Sequence, residues 1–336
     1  MRKRLYLHIG QTKTGSTALQ LHLHRHREAL SRQGLLYPEV PAGARLKTQH
    51  RFLVDALHEA GDQPARAGDV WMPFLDQLRQ APEPGVVLSE EVFWHLFEQR
   101  PTLRRRALGW VAEVLQDFDV RVVCYLRRQD LWVESWFNQV AKSRVPLPMA
   151  SLTFDDFVQR HRELGLFDYA ARVAEWSEPF GQGAIVLRVH EPGRLVGDSV
   201  VDDFAEVIGA RLPPLTAGQR AQPRLSPAAC HFANLFARLP GSGAHRAAFL
   251  HAIRDLGDAG DQRRLLAPDA AAWLVERYRP GNSGLARTYL GREELFACPQ
   301  RAHTVYPGPS TDDLAELGMR LFMALAGAVP RGDGAD

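Results

Sequence analysis

Cysteine is scarce. Cys124, Cys230 and Cys298 stand far apart, with no CxxC pair and no Cys/His cluster. That excludes a disulfide scaffold and a structural zinc site as the basis of the fold, and a reducing compartment is the simplest setting. An excess of one charge is missing too. Forty-one Lys and Arg against 39 Asp and Glu leave +2, too little for a basic coat that would bind nucleic acid or an anionic membrane. Any anion must therefore be held by a local site. Long apolar runs are absent as well. Met1-Arg-Lys-Arg has the basic character of an export signal, but the run behind it, Leu5 to Ile9, falls short of the roughly seven to fifteen residues export requires. Nothing approaches the ~20 apolar residues of a membrane span. The expectation is a soluble, cytoplasmic protein. Repeats and low-complexity tracts are lacking, and 336 residues, 45% of them hydrophobic, suffice for a sizeable core.

Four short apolar runs read as strands. Leu5–Ile9 ends in Gly10, and the residues from Ser16 to about Arg32 follow as a helix. Val86–Leu88 emerges from a Pro-Glu-Pro-Gly break and leads into Ser89-Glu90-Glu91. Val120–Leu126 precedes a helical stretch, Gln129–Lys142, and Ala184–Val189 is entered through Gly-Gln-Gly. Apolar strands separated by helices predict an α/β fold with a central parallel sheet covered on both faces. Ligands then belong at the carboxyl ends of the strands. Four prolines, at 213, 214, 223 and 227, mark residues 211–227 as a linker or surface loop. Helices are expected at Pro227–Arg238, Ala244–Leu256, Pro268–Tyr278 and Thr311–Leu325. This divides the chain into a core at 1–210, a helical C-terminal portion at 228–329 and a frayed tail at 330–336.

Between the first strand and helix lies Gly10-Gln-Thr-Lys13-Thr14-Gly15-Ser16-Thr17. Its G-x4-G spacing is that of a nucleotide phosphate loop, yet the lysine sits inside the loop rather than after the second glycine. The amides of Thr14 to Thr17 at a helix start still predict an anion cradle. No hydrophobic run closing in Asp follows to hold magnesium. A second constellation, Cys124-Tyr-Leu-Arg127-Arg128-Gln-Asp-Leu-Trp-Val-Glu-Ser135, puts an arginine at a strand end and a serine about two helical turns on. Guanidinium and hydroxyl together suit a further phosphate on a ribose.

These residues resemble the sulfotransferases that use 3′-phosphoadenosine 5′-phosphosulfate. In that family a Lys-[Ser/Thr]-Gly-[Thr/Ser]-Thr element binds the 5′-phosphosulfate, which here is Lys13-Thr14-Gly15-Ser16-Thr17; a later strand end supplies an Arg and, eight residues on, a Ser for the 3′-phosphate, here Arg127 and Ser135. The stretches "HIGQTKTGSTALQ…GLLYP", "VVLSEE", "CYLRRQDLWVESWFNQ" and "FGQGAIVLRVHE" with "VDDFAEVIG" follow the order of the bacterial, carbohydrate-type branch, over about residues 3–210. The resemblance implies in-line sulfuryl transfer to a hydroxyl of a carbohydrate or glycoconjugate, adenosine 3′,5′-bisphosphate as product, and no metal. It implies Lys13 at the leaving phosphate and Glu90 as the general base at a strand end, with Glu91 and His50 as rivals. The Arg-Lys-Gly tripeptide of the cytosolic small-molecule branch is missing, and Arg277–Arg287 reads instead as the end of one helix and the start of another. Competing readings are a phosphate-loop kinase or NTPase with a displaced lysine and a non-catalytic nucleotide-binding module. His22, His24 and His26 read as a solvated helix face, Cys124 as core, Trp132, Trp136 and Phe137 as core by default, and Arg100–Arg106 as an exposed helix side. No partner beyond nucleotide and acceptor is implied, and oligomeric state has no sequence signal.

Overall fold

The computed structural model describes residues 2–143, 147, 149–215, 224–239, 242–254, 256, 263–297 and 303–328. In chain order the regular elements are β1 (Arg4–Gly10), α1 (Ser16–Arg25), α2 (Arg27–Ser31), β2 (Leu35–Leu36), α3 (Arg51–Ala60), α4 (Gly68–Gln80), β3 (Gly85–Ser89), α5 (Pro101–Val114), β4 (Asp119–Leu126), α6 (Gln129–Lys142), α7 (Phe154–Glu163), α8 (Tyr169–Phe180), β5 (Ile185–Val189), α9 (Val200–Ile208), α10 (Pro227–Ala237), α11 (Ser242–Ala252), α12 (Pro268–Leu290) and α13 (Thr311–Ala328). They fall into two compact units. The first comprises Met1–Arg128, Leu164–Ala221 and Arg277–Pro299, and the second Gln129–Glu163, Gln222–Glu276 and Gln300–Asp336.

The first unit is built on a five-stranded sheet of order β2-β3-β1-β4-β5, every pair parallel. β1 is central, with Leu5 opposite both Val86 and Val120. Because strand side chains alternate, Leu5, Leu7 and Ile9 join one core with α3, α4, α5 and α8. Val87, Val123 and Tyr125 face the other way, onto α1, α2 and α9. Each fully buried Leu or Val contributes roughly 1.5–3 kcal/mol, so both faces must stay covered. One polar tie crosses the second face. The buried Asp203 carboxylate accepts from Tyr125 Oη (2.7 Å) and Arg188 Nε (2.8 Å), which joins α9 to β4 and β5 and leaves the buried charge paired.

Chain direction around β1 creates the functional edge. α1 follows β1 on one face, whereas α5 follows β3 on the other. The backbone therefore leaves two neighbouring strands in opposite directions, opening a crevice at their carboxyl ends.

The described part of the second unit is helical apart from a single bridge between Arg264 and Val305. Glu134 of α6 accepts from Arg264 Nε (2.5 Å) and from the amides of Leu265 (2.7 Å) and Leu266 (3.0 Å). Arg246 of α11 is buried and donates to the carbonyls of Ala141 (2.8 Å) and Ser143 (2.6 Å), satisfying acceptors that the end of a helix leaves open. No helix among the described residues is long and apolar enough to cross a membrane.

The α/β class, the parallel sheet and all four expected strands are present. Several details differ from the sequence reading. The first helix breaks at His26 (φ −106°, ψ 19°) into α1 and α2. A fifth strand, β2, is two residues long, too short to show a pattern. α12 runs unbroken from Pro268 to Leu290 with Pro280 inside it; a helix tolerates proline where packing holds the turn. His22 is buried rather than solvated, its ring 4.4 Å from that of His26. Arg104 is also buried, paired through two nitrogens with Glu175 (both 2.7 Å), while Arg105 and Arg106 are exposed. Cys124 and Trp132 are core residues. Cys298, residues 216–223 of the proline-rich segment and the tail at 330–336 lie outside the described residues.

Candidate functional site

The loop from Gly10 to Gly15 occupies the crevice between β1 and β3. Gly10 (φ 92°), Lys13 (φ 68°) and Gly15 (φ 89°) adopt left-handed conformations. For Lys13 this is a strained choice of roughly 1 kcal/mol, and such strain concentrates at functional turns. Left-handed residues set among others along a short loop are the kind of backbone that can turn amides toward one side and offer them to an anion. α1 continues it. Gly15 caps the helix without any side-chain hydrogen bond, so the first-turn amides, which have no intrahelical acceptors, add their donors and the positive end of the helix dipole. Thr14 and Ser16 are buried, Lys13 and Gly15 half-buried, and Thr17 exposed.

Both glycines are required by space as well as by φ. A Cβ on Gly10 would stand 2.8 Å from Glu91 Cβ and 3.0 Å from Glu91 Cα; one on Gly15 would stand 2.8 Å from Val200 Cγ1. Backbone cannot yield as a flexible side chain can. Gly10→Ala is expected to lower stability by about 3 kcal/mol or more, read as a shift of the urea midpoint; an unchanged midpoint would refute the close approach of loop and Glu91.

Gln11 anchors the loop to β4. Its amide donates to Tyr125 O (2.9 Å), its Nε2 donates to Tyr169 Oη (3.0 Å), and its Oε1 accepts from the Arg127 amide (3.1 Å). Tyr169 Oη in turn donates to Arg127 O (2.8 Å), and an Arg127 guanidinium nitrogen donates to Lys13 O (3.3 Å). The structure thus brings Arg127 together with the lysine loop inside the first unit. Ser135 lies half-buried in α6, in the second unit.

The two adjacent glutamates diverge, as alternation demands. Glu90 continues β3, its amide donating to His8 O (3.0 Å). Its carboxylate is buried and accepts from the Val92 amide (3.0 Å) and Gln49 Nε2 (3.0 Å), with Arg51 3.9 Å away. Burial, reinforced by the charge of Glu91, pushes its pKa up to about 8. Glu91 packs over Gly10 and accepts from Gln20 of α1 (2.5 Å). His50 is committed elsewhere. Its Nδ1 accepts from the Ser89 amide (3.1 Å) while Nε2 faces Pro38 O (3.3 Å), and burial lowers its pKa to about 4. The imidazole is neutral with its acceptor nitrogen occupied, a strut between β3 and the preceding loop.

Three more groups reach this edge without any signal in the sequence. His190, after β5, bonds through its amide to Leu126 O (2.8 Å). Its Nε2 lies 3.9 Å from where a Gly15 Cβ would be, and burial, then the charge of Arg127, lowers its pKa to about 4. The other two are His95 and Glu98, which bond in sequence to Thr12. Such positions belong to no fixed spacing and become neighbours only when the sheet assembles.

Comparisons with known proteins do not place the chain in a family. No protein-family model matches the chain. An uncharacterized protein of Archaeoglobus fulgidus is 25% identical over 194 residues, 55% of this chain, and the chain spans about half the length of that relative. The crystal structure of a sulfotransferase from Alicyclobacillus acidocaldarius is similar at a TM-score of 0.40 and 16% identity, covering 75% of this chain and 97% of that one.

Proposed function

We propose that the chain transfers a sulfuryl group from 3′-phosphoadenosine 5′-phosphosulfate to an acceptor hydroxyl of a carbohydrate or glycoconjugate. The observation that carries this reading is the joining of the lysine loop to Arg127. Gln11 clasps the Arg127 amide, and the guanidinium donates to the Lys13 carbonyl. A nucleotide with phosphates at both the 3′ and 5′ positions of one ribose needs two cationic handles at a fixed spacing; a nucleoside triphosphate does not need the second.

The residues present suit that donor. Loop and helix amides with Lys13 would hold the 5′-phosphosulfate, and Arg127 would hold the 3′-phosphate. The donor supplies an electrophilic sulfur whose leaving group is a phosphate. Lys13 neutralises the charge that gathers on the leaving oxygen, where a preplaced cation is most effective. Glu90 accepts the proton of the acceptor hydroxyl, which would take the place of Gln49 at its carboxylate. Since its pKa is about 8, the proton-accepting form grows as pH rises through that value.

Calorimetry with adenosine 3′,5′-bisphosphate against ATP–magnesium tests the reading. Tight, metal-dependent ATP binding without bisphosphate binding would establish a kinase or NTPase. Bisphosphate binding without transfer of labelled sulfate to any of a panel of sugars would leave a binding module. Arg127→Ala is expected to weaken adenosine 3′,5′-bisphosphate at least 10-fold, as loss of a charge-assisted contact does, while leaving adenosine 5′-phosphate within about 2-fold. Equal losses on both would reject the 3′-phosphate role.

A further inference from the structure

Beneath the loop runs a hydroxyl–imidazole–carboxylate chain that the proposed chemistry does not use. Thr12 Oγ1 lies 2.9 Å from His95 Nε2, and His95 Nδ1 is hydrogen-bonded to Glu98 Oε1. Thr12 and His95 are both buried. Thr12 precedes Lys13, and His95 closes the short helical turn Glu91–His95 that follows β3 and Glu90. The chain therefore links the loop after β1 to the segment after β3, from opposite sides of the same crevice.

Its polarity can be read from the groups. An ionised carboxylate only accepts, so His95 Nδ1 donates to Glu98. On its other side the ring shares a hydrogen bond through Nε2 with the Thr12 hydroxyl. Glu98 fixes the tautomer and ring orientation, and the ring fixes Thr12. Next to it, Lys13 holds a left-handed backbone (φ 68°) that an L-residue does not keep unaided. Thr14 secures the far side of the same residue, donating through Oγ1 to Gln11 O (2.5 Å).

We propose that His95 and Glu98 are positioning residues that hold the lysine loop in its anion-binding shape through Thr12, so that loop order and anion affinity depend on a side-chain hydroxyl at position 12. The link to nucleotide binding rests on the function proposed above; the effect on loop order does not.

The test uses Thr12→Val, which keeps the side-chain shape and removes the hydroxyl, with Thr12→Ser as the conservative variant and His95→Gln as a second break in the chain. Amide hydrogen exchange in the unliganded protein reads loop order. Thr12→Val is expected to speed exchange at residues 11–17 about 10-fold, the size expected for one buried hydrogen bond, leaving β1 and β4 as they were. Thr12→Ser is expected to restore wild-type exchange, and Thr12→Val with His95→Gln together to have no more effect than either alone. Affinity for adenosine 3′,5′-bisphosphate is expected to fall and recover in parallel. Unchanged loop exchange in Thr12→Val, or no rescue by serine, would overturn the proposal whatever the nucleotide does. A wild-type protein that binds no bisphosphate would overturn the functional reading, and the exchange measurements would still decide the positioning role.

Discussion

Glu90→Gln is expected to abolish sulfuryl transfer and, in the same molecule, to raise stability at pH 8. The carboxyl is buried and its pKa is raised from the ordinary 4.5 to about 8, so between those values the folded protein keeps a proton that the unfolded chain releases. Where the folded state binds more protons, stability falls as pH rises. Stability is therefore lost progressively from about pH 4.5 to about pH 8. Glutamine is close to isosteric, cannot ionise, and can still accept from Val92 through its one oxygen while its amide nitrogen donates to a turned Gln49 side-chain oxygen. The variant should lack this slope and at pH 8 gain on the order of 3 kcal/mol, seen as a rise in Tm of roughly 5 °C. Turnover should fall by on the order of 10³-fold with loss of the base. Thermal denaturation from pH 4 to 9, beside product formation at each pH, separates the two effects. Parallel pH profiles for both proteins would show that Glu90 is ionised in the fold; full activity in the variant would move the base to Glu91, which faces Gln20 and Gly10 instead.

Lys13→Met should remove most of the turnover while keeping most of the binding. The loop amides and Arg127 remain to hold adenosine 3′,5′-bisphosphate, so its affinity is expected to fall only about 10-fold. The ammonium's larger effect comes as charge builds on the leaving phosphate oxygen, and its loss is expected to lower kcat by on the order of 10³-fold. Methionine matches the length of the stem and meets the same left-handed backbone, so folding should be little changed, as far-UV circular dichroism would record. Equal losses in binding and kcat would make Lys13 a general anion clamp; unchanged kcat would remove it from the chemistry.

The sheet was legible because its strands are buried on both faces. Continuous apolar runs such as Val120–Leu126 signal a covered parallel sheet whatever their neighbours are. The loop was legible for a similar reason: Gly10 and Gly15 answer to local backbone geometry, and their spacing survives in one dimension. β2 left no trace because two residues cannot express a period. The helix break at His26 and the continuity of α12 through Pro280 are settled by packing, which overrides local preference. His22 and Arg104 misled because a polar residue on a helix reads as solvent-facing until a neighbouring element covers it. His50 fitted the type of residue a base requires, yet its two nitrogens serve the backbone at Ser89 and Pro38. Thr12 follows β1, His95 and Glu98 share the segment after β3, and His190 follows β5, so no spacing rule could gather the three segments.

Gln11 sits at an unconstrained position of the glycine spacing, yet its one primary amide answers two demands at once, donating to Tyr169 and accepting from the Arg127 amide. Glutamate would offer no proton to Tyr169; leucine would satisfy neither neighbour; asparagine would be one methylene short. The sequence at this position has almost no room to drift. A chain can therefore keep every glycine and the lysine of the pattern and still lose the alignment between its two cationic handles through a single exchange that a motif search would pass over.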